Sequence, residues 1–116
     1  MTVTLTLPFP VSVNAAFRRY NGKHLSERYR RWRDNAGWEL KCQRPRKLKG
    51  PVEVEISLRA PDRRKRDGDN LAKGLLDLLA AHGVIEDDNR FIVHRQSIEW
   101  IEDGLPRAVV TIRSIA

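Results

Sequence analysis

Residues 52–79 read VEVEISLRAPDRRKRDGDNLAKGLLDLL, a run that joins a strand pattern, a charged loop and a helix pattern. Apolar and polar residues alternate as far as Leu58, which predicts a strand with one buried face. Leucines at helical spacing follow, and Gly83 is suited to end a helix, so we predict a helix from about Asn70 to His82. The loop between the two elements places four consecutive cations directly before two aspartates.

The remaining segments complete a β-α-β-α-β-β order. Alternation predicts a strand over residues 2–7, and helical spacing predicts a helix from about Glu27 to Cys42 with Ser26 as its N-cap. Two more strands are predicted over residues 91–100 and 108–115. This order predicts an α+β protein of two layers, with a mixed sheet of about four strands and two helices packed on one face of it.

Size and charge narrow the class of protein. A chain of 116 residues is expected to form a single domain over residues 1–116, with one modest core. The net charge of +7 favours a polyanionic partner, and residues 17–49 hold twelve Lys or Arg against three acids. No apolar stretch approaches the ~20 residues of a membrane span. With a lone Cys42 and no secretory pattern at the N-terminus, we expect a cytoplasmic protein.

Two acidic pairs are candidates for metal chemistry. Asp67 and Asp69 stand at the predicted start of the second helix, where one Asp is an ordinary N-cap but two repel each other. Gly68 between them gives the backbone freedom to bring both carboxylates together. Asp87 and Asp88 lie one helix length later, in what is otherwise an ordinary solvated turn. Whether this turn folds back to the first pair depends on packing, and spacing leaves the question open. If the acids converge, their oxygen-only donors suit Mg²⁺ or Mn²⁺.

Cations accompany the acids. Lys73 lies four residues after Asp69 and shares its helix face, so it is either an i,i+4 ion-pair partner or a contact for a scissile phosphate. The cationic run is either a solvated loop or a phosphate clamp, and a second basic patch lies in the N-terminal loop. Tyr29 and Trp32, which interleave with arginines, are predicted to be core. The candidate DNA-binding residues are Asn14, Arg18, Arg19, Lys23, Arg63, Arg64, Lys65 and Arg66.

The runs PDRRKRDGDNLAKGLLD (residues 61–77) and VIEDDNRF (residues 84–91) closely resemble the RusA family of Holliday-junction resolvases. The first strand, the Pro-Phe-Pro turn after it and the basic loop that follows fit as well, so the resemblance spans essentially the whole chain. One departure is Gly68, which stands where a larger apolar residue is common. The resemblance implies that the catalytic residues are Asp67, Asp69, Lys73 and Asp88, with the three aspartates as metal ligands.

The family resemblance also implies an activity and partners. Its members are Mg²⁺-dependent homodimers, with Mn²⁺ as a substitute, that nick four-way DNA junctions on two opposed strands and leave 5′-phosphates. They act in DNA recombination and repair, and many are encoded by phages or prophages. Neither a small-molecule cofactor nor a membrane partner is expected. The alternatives are a non-catalytic basic nucleic-acid-binding module and a divalent-dependent nuclease for other branched or single-stranded substrates.

Overall fold

The computed structural model describes residues 1–12 and 26–115, which contain a four-stranded sheet. The strands are β1 (Thr2–Leu7), β2 (Val52–Arg59), β3 (Val93–Trp100) and β4 (Arg107–Ser114). Their spatial order is β1-β4-β2-β3. β1 and β2 both pair antiparallel with β4, whereas β3 pairs parallel with β2 and forms one edge of the sheet. The predicted mixed sheet is confirmed.

Two helices, α1 (Glu27–Cys42) and α2 (Gly68–Ala81), complete the fold. The Ser26 hydroxyl accepts a hydrogen bond from the Tyr29 N–H at 3.1 Å, which confirms the predicted N-cap of α1. Tyr29 and Trp32 are each 6% exposed, and the Trp32 indole N–H donates to the Pro8 carbonyl at 3.1 Å, so both belong to the core as predicted. No helix in the described ranges is long and apolar enough to cross a membrane.

The core lies on one face of the sheet. Every second residue of β2 from Val52 to Leu58 is at most 1% exposed, whereas Glu55 on the opposite face is exposed. Leu75 and Leu79 of α2 are fully buried. Burying one apolar side chain of this size stabilises the fold by about 1.5–3 kcal/mol. The alternating pattern of the strand and the helical pattern of α2 therefore together determine the two-layer packing.

The β2-α2-β3 unit determines where the second acidic pair lies. Because β2 and β3 are parallel, the chain must run from the end of α2 to the same end of the sheet at which β2 begins. Gly83 ends the helix with a φ of +72°, and Val84 and Ile85 are fully buried in the core. Residues 83–92, which lead from the end of α2 to β3, are called the return segment. The Leu48 N–H donates to the Val84 carbonyl at 2.8 Å, which fixes the start of this segment.

The largest differences from the sequence-based prediction are at the starts of α2 and β3, whereas the other boundaries agree to within one residue. α2 begins at Gly68, two residues before the predicted start, because the Asp67 side chain caps it. β3 begins at Val93 and not at residue 91, because the Val93 N–H donates to the Asn89 carbonyl at 2.8 Å and closes a turn there. Both shifts arise from local side-chain and turn hydrogen bonds, which hydrophobic periodicity does not detect.

Candidate active site

Asp67 is the N-cap of α2. Its carboxylate accepts the Asp69 backbone N–H at 3.0 Å and the Asn70 side-chain amide at 3.1 Å. A carboxylate in this position satisfies an otherwise unpaired helix donor and interacts favourably with the helix dipole. The interpretation of one of the two aspartates as an ordinary N-cap is therefore confirmed, and the residue is Asp67. Its side chain is also exposed, so capping leaves carboxylate lone pairs open to solvent.

Asp69 and Lys73 lie one helical turn apart on the exposed side of α2. Both line a groove of about 440 Å³ between α2 and the edge strand β3, and Asp88 and Arg90 line it as well. We call this the acidic groove; its other lining residues are Leu76, Val93, His94, Arg95 and Gln96. The helix thus presents one carboxylate and one ammonium to the same open space.

The return segment brings Asp88 to α2, which spacing alone left open. The Asp88 Oδ2 atom lies 4.0 Å from the Lys73 ammonium nitrogen. Asp87 shapes the turn: its carboxylate accepts the Asp88 N–H at 2.7 Å and the Asn89 side-chain amide at 2.9 Å. Both oxygens of the Asp87 carboxylate thus accept hydrogen bonds within the turn. Asp88 is the member of the pair that lines the acidic groove.

Lys73 pairs across the groove and not along the helix. Its ion-pair partner among the described residues is Asp88 and not Asp69, although Asp69 stands at the i−4 position. An exposed i,i+4 pair stabilises a helix by only about 0.2–0.5 kcal/mol, so little is lost when the ammonium turns to the other carboxylate. Lys73 therefore lies between two carboxylates that come from different elements.

Asp77 is a fourth carboxyl group of this site, and the sequence-based reasoning missed it. It lies one helical turn beyond Lys73, and its side chain shares a hydrogen bond with Asp88. Partial burial, together with Asp88 and Asp87, raises the pKa of Asp77 to about 6. The hydrogen bond from Asp77 in turn holds the pKa of Asp88 below its ordinary value. The signal that would have found it is the spacing of residues 69, 73 and 77 along one helix face.

The basic run Arg63–Arg66 divides into paired and free members. The Asp62 carboxylate accepts the Arg66 guanidinium at 2.8 Å and both the backbone N–H and the Nε of Arg64, at 2.9 and 3.2 Å. The Arg66 side chain is only 15% exposed and its guanidinium lies over the Phe9 ring. Arg66 is therefore largely a structural residue, whereas Arg63 and Lys65 are exposed without an ion-pair partner in the described part of the chain.

A second groove, of about 360 Å³, lies beside the cap. Asp67, Asn70, Lys65 and Arg28 are among the residues that line it; Arg28 was not among the predicted DNA contacts. The cap residue and the acidic groove thus stand on neighbouring surfaces at the start of α2. The predicted contacts Asn14, Arg18, Arg19 and Lys23 lie outside the described residues.

The predicted metal ligands are all carboxylates, which suit a hard divalent cation. Asp69 and Asp88 line the acidic groove, and Asp67 lines the neighbouring one. Across residues 1–12 and 26–115, no three His, Cys, Asp or Glu side chains are grouped tightly enough to form a metal site. Burial, and after it the neighbouring Asp88, raise the pKa of Asp77, and a cation bound beside these carboxyl groups would favour their ionised forms. The donor chemistry fits, and the ligand set stays a prediction.

Comparisons with known proteins match this chain to one family. A family model described as Endodeoxyribonuclease RusA matches residues 8–113. A protein of Aquifex aeolicus (strain VF5) named crossover junction endodeoxyribonuclease RusA is 39% identical over 114 residues, covering 92% of this chain and 85% of that protein. Proteins of the same name from Escherichia coli (strain K12) and Enterobacteria phage 82 are each 36% identical over 96 residues, covering 81% of this chain and 80% of theirs.

Proposed function

The chain belongs to the RusA family of endodeoxyribonucleases, and on that premise we propose that it resolves Holliday junctions by paired nicks in opposed strands, in DNA recombination and repair. The similar proteins are named crossover junction endodeoxyribonucleases. The observation that carries the proposal is the convergence of Asp69, Lys73 and Asp88 on one open groove beside a basic loop. Carboxylates repel a polyanion, so they would not help a protein that binds DNA by charge attraction alone. Their presence beside the basic loop therefore favours a catalytic function.

Mg²⁺, with Mn²⁺ as a substitute, is the cofactor we assign to the carboxylates of Asp67, Asp69 and Asp88. When bound, such an ion supplies an activated water and neutralises charge on the phosphate. The chain's own part is to hold the donors: the cap at Asp67 fixes the backbone of Asp69, and the turn at Asp87 fixes that of Asp88. We propose that hydrolysis leaves a 5′-phosphate, as the family resemblance implies.

Lys73 is assigned to the phosphate. Its ammonium stands 4.0 Å from Asp88, so it already lies in the space that a scissile phosphate would enter. There it donates to oxygens on which negative charge builds up in the transition state. Asp77 donates a hydrogen bond to Asp88 while it is protonated, and we assign it as a positioning residue.

The substrate and assembly follow from the same proposal. Exposed Arg63 and Lys65, with the N-terminal basic residues, are assigned to DNA phosphates, and binding is therefore expected to weaken steeply with salt. Two symmetric nicks require two sites related by a twofold axis, so we assign a homodimer. The place of action that we assign is the cytoplasm, where bacterial and phage DNA recombine.

The alternative function is a non-catalytic nucleic-acid-binding module. The observation that favours it is the structural use of Asp67 as a helix cap, which gives that residue a purpose without metal. This alternative predicts steep salt dependence, no divalent requirement and no cleavage.

One experiment separates the two functions. Synthetic four-way, three-way and linear duplex DNA is incubated with the protein, with and without Mg²⁺, and the products are mapped at nucleotide resolution. We expect symmetric nicks in the four-way junction alone, and their loss in Asp69→Asn while junction binding is kept. Asp34→Asn, at an exposed position of α1, is the matched control and should nick normally. Undiminished nicking by Asp69→Asn, or equal cutting of linear duplex, would contradict the proposal.

A second pair of variants tests Asp67. Serine is as good an N-cap as aspartate but carries no charge, so Asp67→Ser should keep the free energy of unfolding within about 0.5 kcal/mol of wild type. If the carboxylate is a metal ligand, this variant loses Mg²⁺-dependent nicking although it is folded. Normal nicking by Asp67→Ser would assign the residue to capping alone.

A further inference from the structure

Trp100 ends the edge strand β3 directly beside the turn that carries Asp67 and Asp69. A Cβ atom built on Gly68 would lie 3.8 Å from Cζ2 of the Trp100 indole and 3.4 Å from Ile98. The indole therefore packs against the backbone between the two aspartates, in space that a larger residue at position 68 would need. It is nevertheless 39% exposed, so part of the ring is open to a ligand.

The indole continues a row of stacked groups. Its ring centroid is 6.5 Å from that of Phe9, at an interplanar angle of 44°. The Arg66 guanidinium covers Phe9 at 5.4 Å from the ring centroid. Arg66, Phe9 and Trp100 thus support one another through cation–π and aromatic contacts, and the two ends of the row, Arg66 and Trp100, line the same open space.

That space is a cleft of about 790 Å³, which we call the indole cleft. Its walls are the indole with the β3–β4 loop on one side and the basic run on the other; the lining residues that matter here are Arg63, Arg64, Arg66, Trp100, Ile101 and Glu102. The volume is in the range of sites that enclose small ligands. An apolar ring opposite several guanidinium groups matches a ligand with a flat π face and an attached phosphate.

Both walls are fixed before any ligand arrives. The Ile101 N–H donates to the Leu58 carbonyl at 2.8 Å, and the Arg59 Nε donates to the Asp103 carbonyl at 2.8 Å, which tie the β3–β4 loop to the end of β2. On the other side the Asp62 carboxylate holds Arg64 and Arg66. A preformed cleft lowers the ordering cost of binding, so its shape is suited to recognition.

We infer that the indole cleft is a nucleobase subsite: a base next to the scissile phosphate leaves the helical stack and stacks on Trp100, while a phosphate next to that base contacts Arg63 and Arg64. This inference rests on the proposed function, because a base at a branch point is already partly unstacked and costs less to extrude. The position of the indole against the turn of Asp67 and Asp69 places the subsite beside the cut. Trp100 is thereby a substrate-positioning residue.

The test is a double-mutant cycle between the protein and the DNA. Four-way junctions carry a single abasic site at each nucleotide around the nick in turn, and dissociation constants are measured without divalent ions for wild type and Trp100→Ala. Base–aromatic stacking contributes about 1–3 kcal/mol per base, so Trp100→Ala should weaken binding of the intact junction about 5- to 100-fold. One abasic position should weaken wild type by a similar factor and should have almost no further effect in the variant.

Two further variants separate stacking from folding and from general charge effects. Trp100→Leu keeps apolar contact with Phe9 and Gly68 but lacks a π face, so it should bind as weakly as Trp100→Ala while unfolding at the urea concentration of wild type. Trp38→Ala is the matched control, because Trp38 is 69% exposed on α1, away from the cleft. It should bind like wild type and respond to the abasic site like wild type.

Each outcome decides the inference separately from the proposed function. Equal abasic losses in wild type and Trp100→Ala, or full affinity in Trp100→Leu, would overturn the subsite. A loss in Trp38→Ala as large as that in Trp100→Ala would do the same. Failure of wild type to nick any four-way junction would instead overturn the proposed function, since the binding cycle contains no cleavage step.

Discussion

Asp77→Asn should stabilise the metal-free protein at neutral pH. Burial and the neighbouring Asp88 raise the pKa of Asp77 from 3.8 to about 6, which means that the folded protein disfavours the ionised form. A carboxyl whose pKa is raised by folding binds its proton more tightly in the folded state. Its effect is therefore absent below about pH 4 and becomes destabilising as the pH rises towards and beyond 6.

The magnitude follows from the size of this pKa change. A rise of about two units corresponds to about 3 kcal/mol at 1.36 kcal/mol per unit. Asp77 is only partly buried, so solvent screening reduces the expected effect to about 1 kcal/mol. An Asn side chain has the same shape and can still donate a hydrogen bond to Asp88, so the change removes the charge and keeps the contact.

The measurement is urea unfolding in EDTA at pH 4.5 and at pH 7.5. We expect Asp77→Asn to raise the free energy of unfolding by about 1 kcal/mol at pH 7.5 and by much less at pH 4.5, where wild-type Asp77 is mostly protonated. Asp34→Asn, on the exposed side of α1, is the control and should show no comparable gain. A destabilised Asp77→Asn at pH 7.5, or an equal gain at both pH values, would refute the reasoning.

Three further changes test the supports of the site. Asp62→Ala removes the acceptor that holds Arg64, so amide exchange at Arg64 should become several-fold faster. Because hydrogen bonds from Arg66 and Arg64 lower the pKa of Asp62, wild type should keep this protection until the pH falls well below the ordinary pKa of an aspartate. Gly83→Ala should lower the free energy of unfolding by about 1–2 kcal/mol in urea, because a φ of +72° strains an alanine. Steric conflict does not add to this, since the new Cβ would lie 3.7 Å from the Lys47 side chain, an ordinary contact distance. An unchanged urea midpoint would contradict this. Asp87→Ala removes two hydrogen bonds of the acidic turn and should cost about 1–2 kcal/mol in the same assay, with nicking reduced but measurable; complete loss of nicking in a folded variant would assign Asp87 to the chemistry.

The element order was predictable because each segment carries its own period. The bounds of α1 agree with the prediction at both ends, since Ser26 is a strong cap and the buried face repeats regularly. α2 was misplaced at its start because two aspartates competed as caps and periodicity does not choose between them. The structure resolves the choice through the hydrogen bond from the Asp69 N–H to Asp67.

The candidate site was predictable in part. Asp69 and Lys73 share a helix face by spacing alone, but the approach of Asp88 required the return segment to be fixed by Gly83 and by the burial of Val84. Both features depend on how distant parts of the chain pack together, and a local sequence pattern does not predict them. Helix spacing could have placed Asp77 in line with Asp69 and Lys73, but its raised pKa depends on burial beside Asp88, which spacing does not show. Family resemblance supplied Asp88 where spacing did not.

The two acidic pairs follow one physical rule. In each pair the first carboxylate accepts the backbone N–H of the second acid: Asp67 from Asp69 at 3.0 Å, and Asp87 from Asp88 at 2.7 Å. Such a charge-assisted bond offsets part of the repulsion between neighbouring carboxylates and fixes the backbone of the second residue. The second carboxylate then lines the acidic groove in both cases. The cost of the arrangement falls on Asp77, whose burial beside Asp88 should make the metal-free protein less stable at neutral pH than it would be without that charge, as expected where a site is built for a ligand.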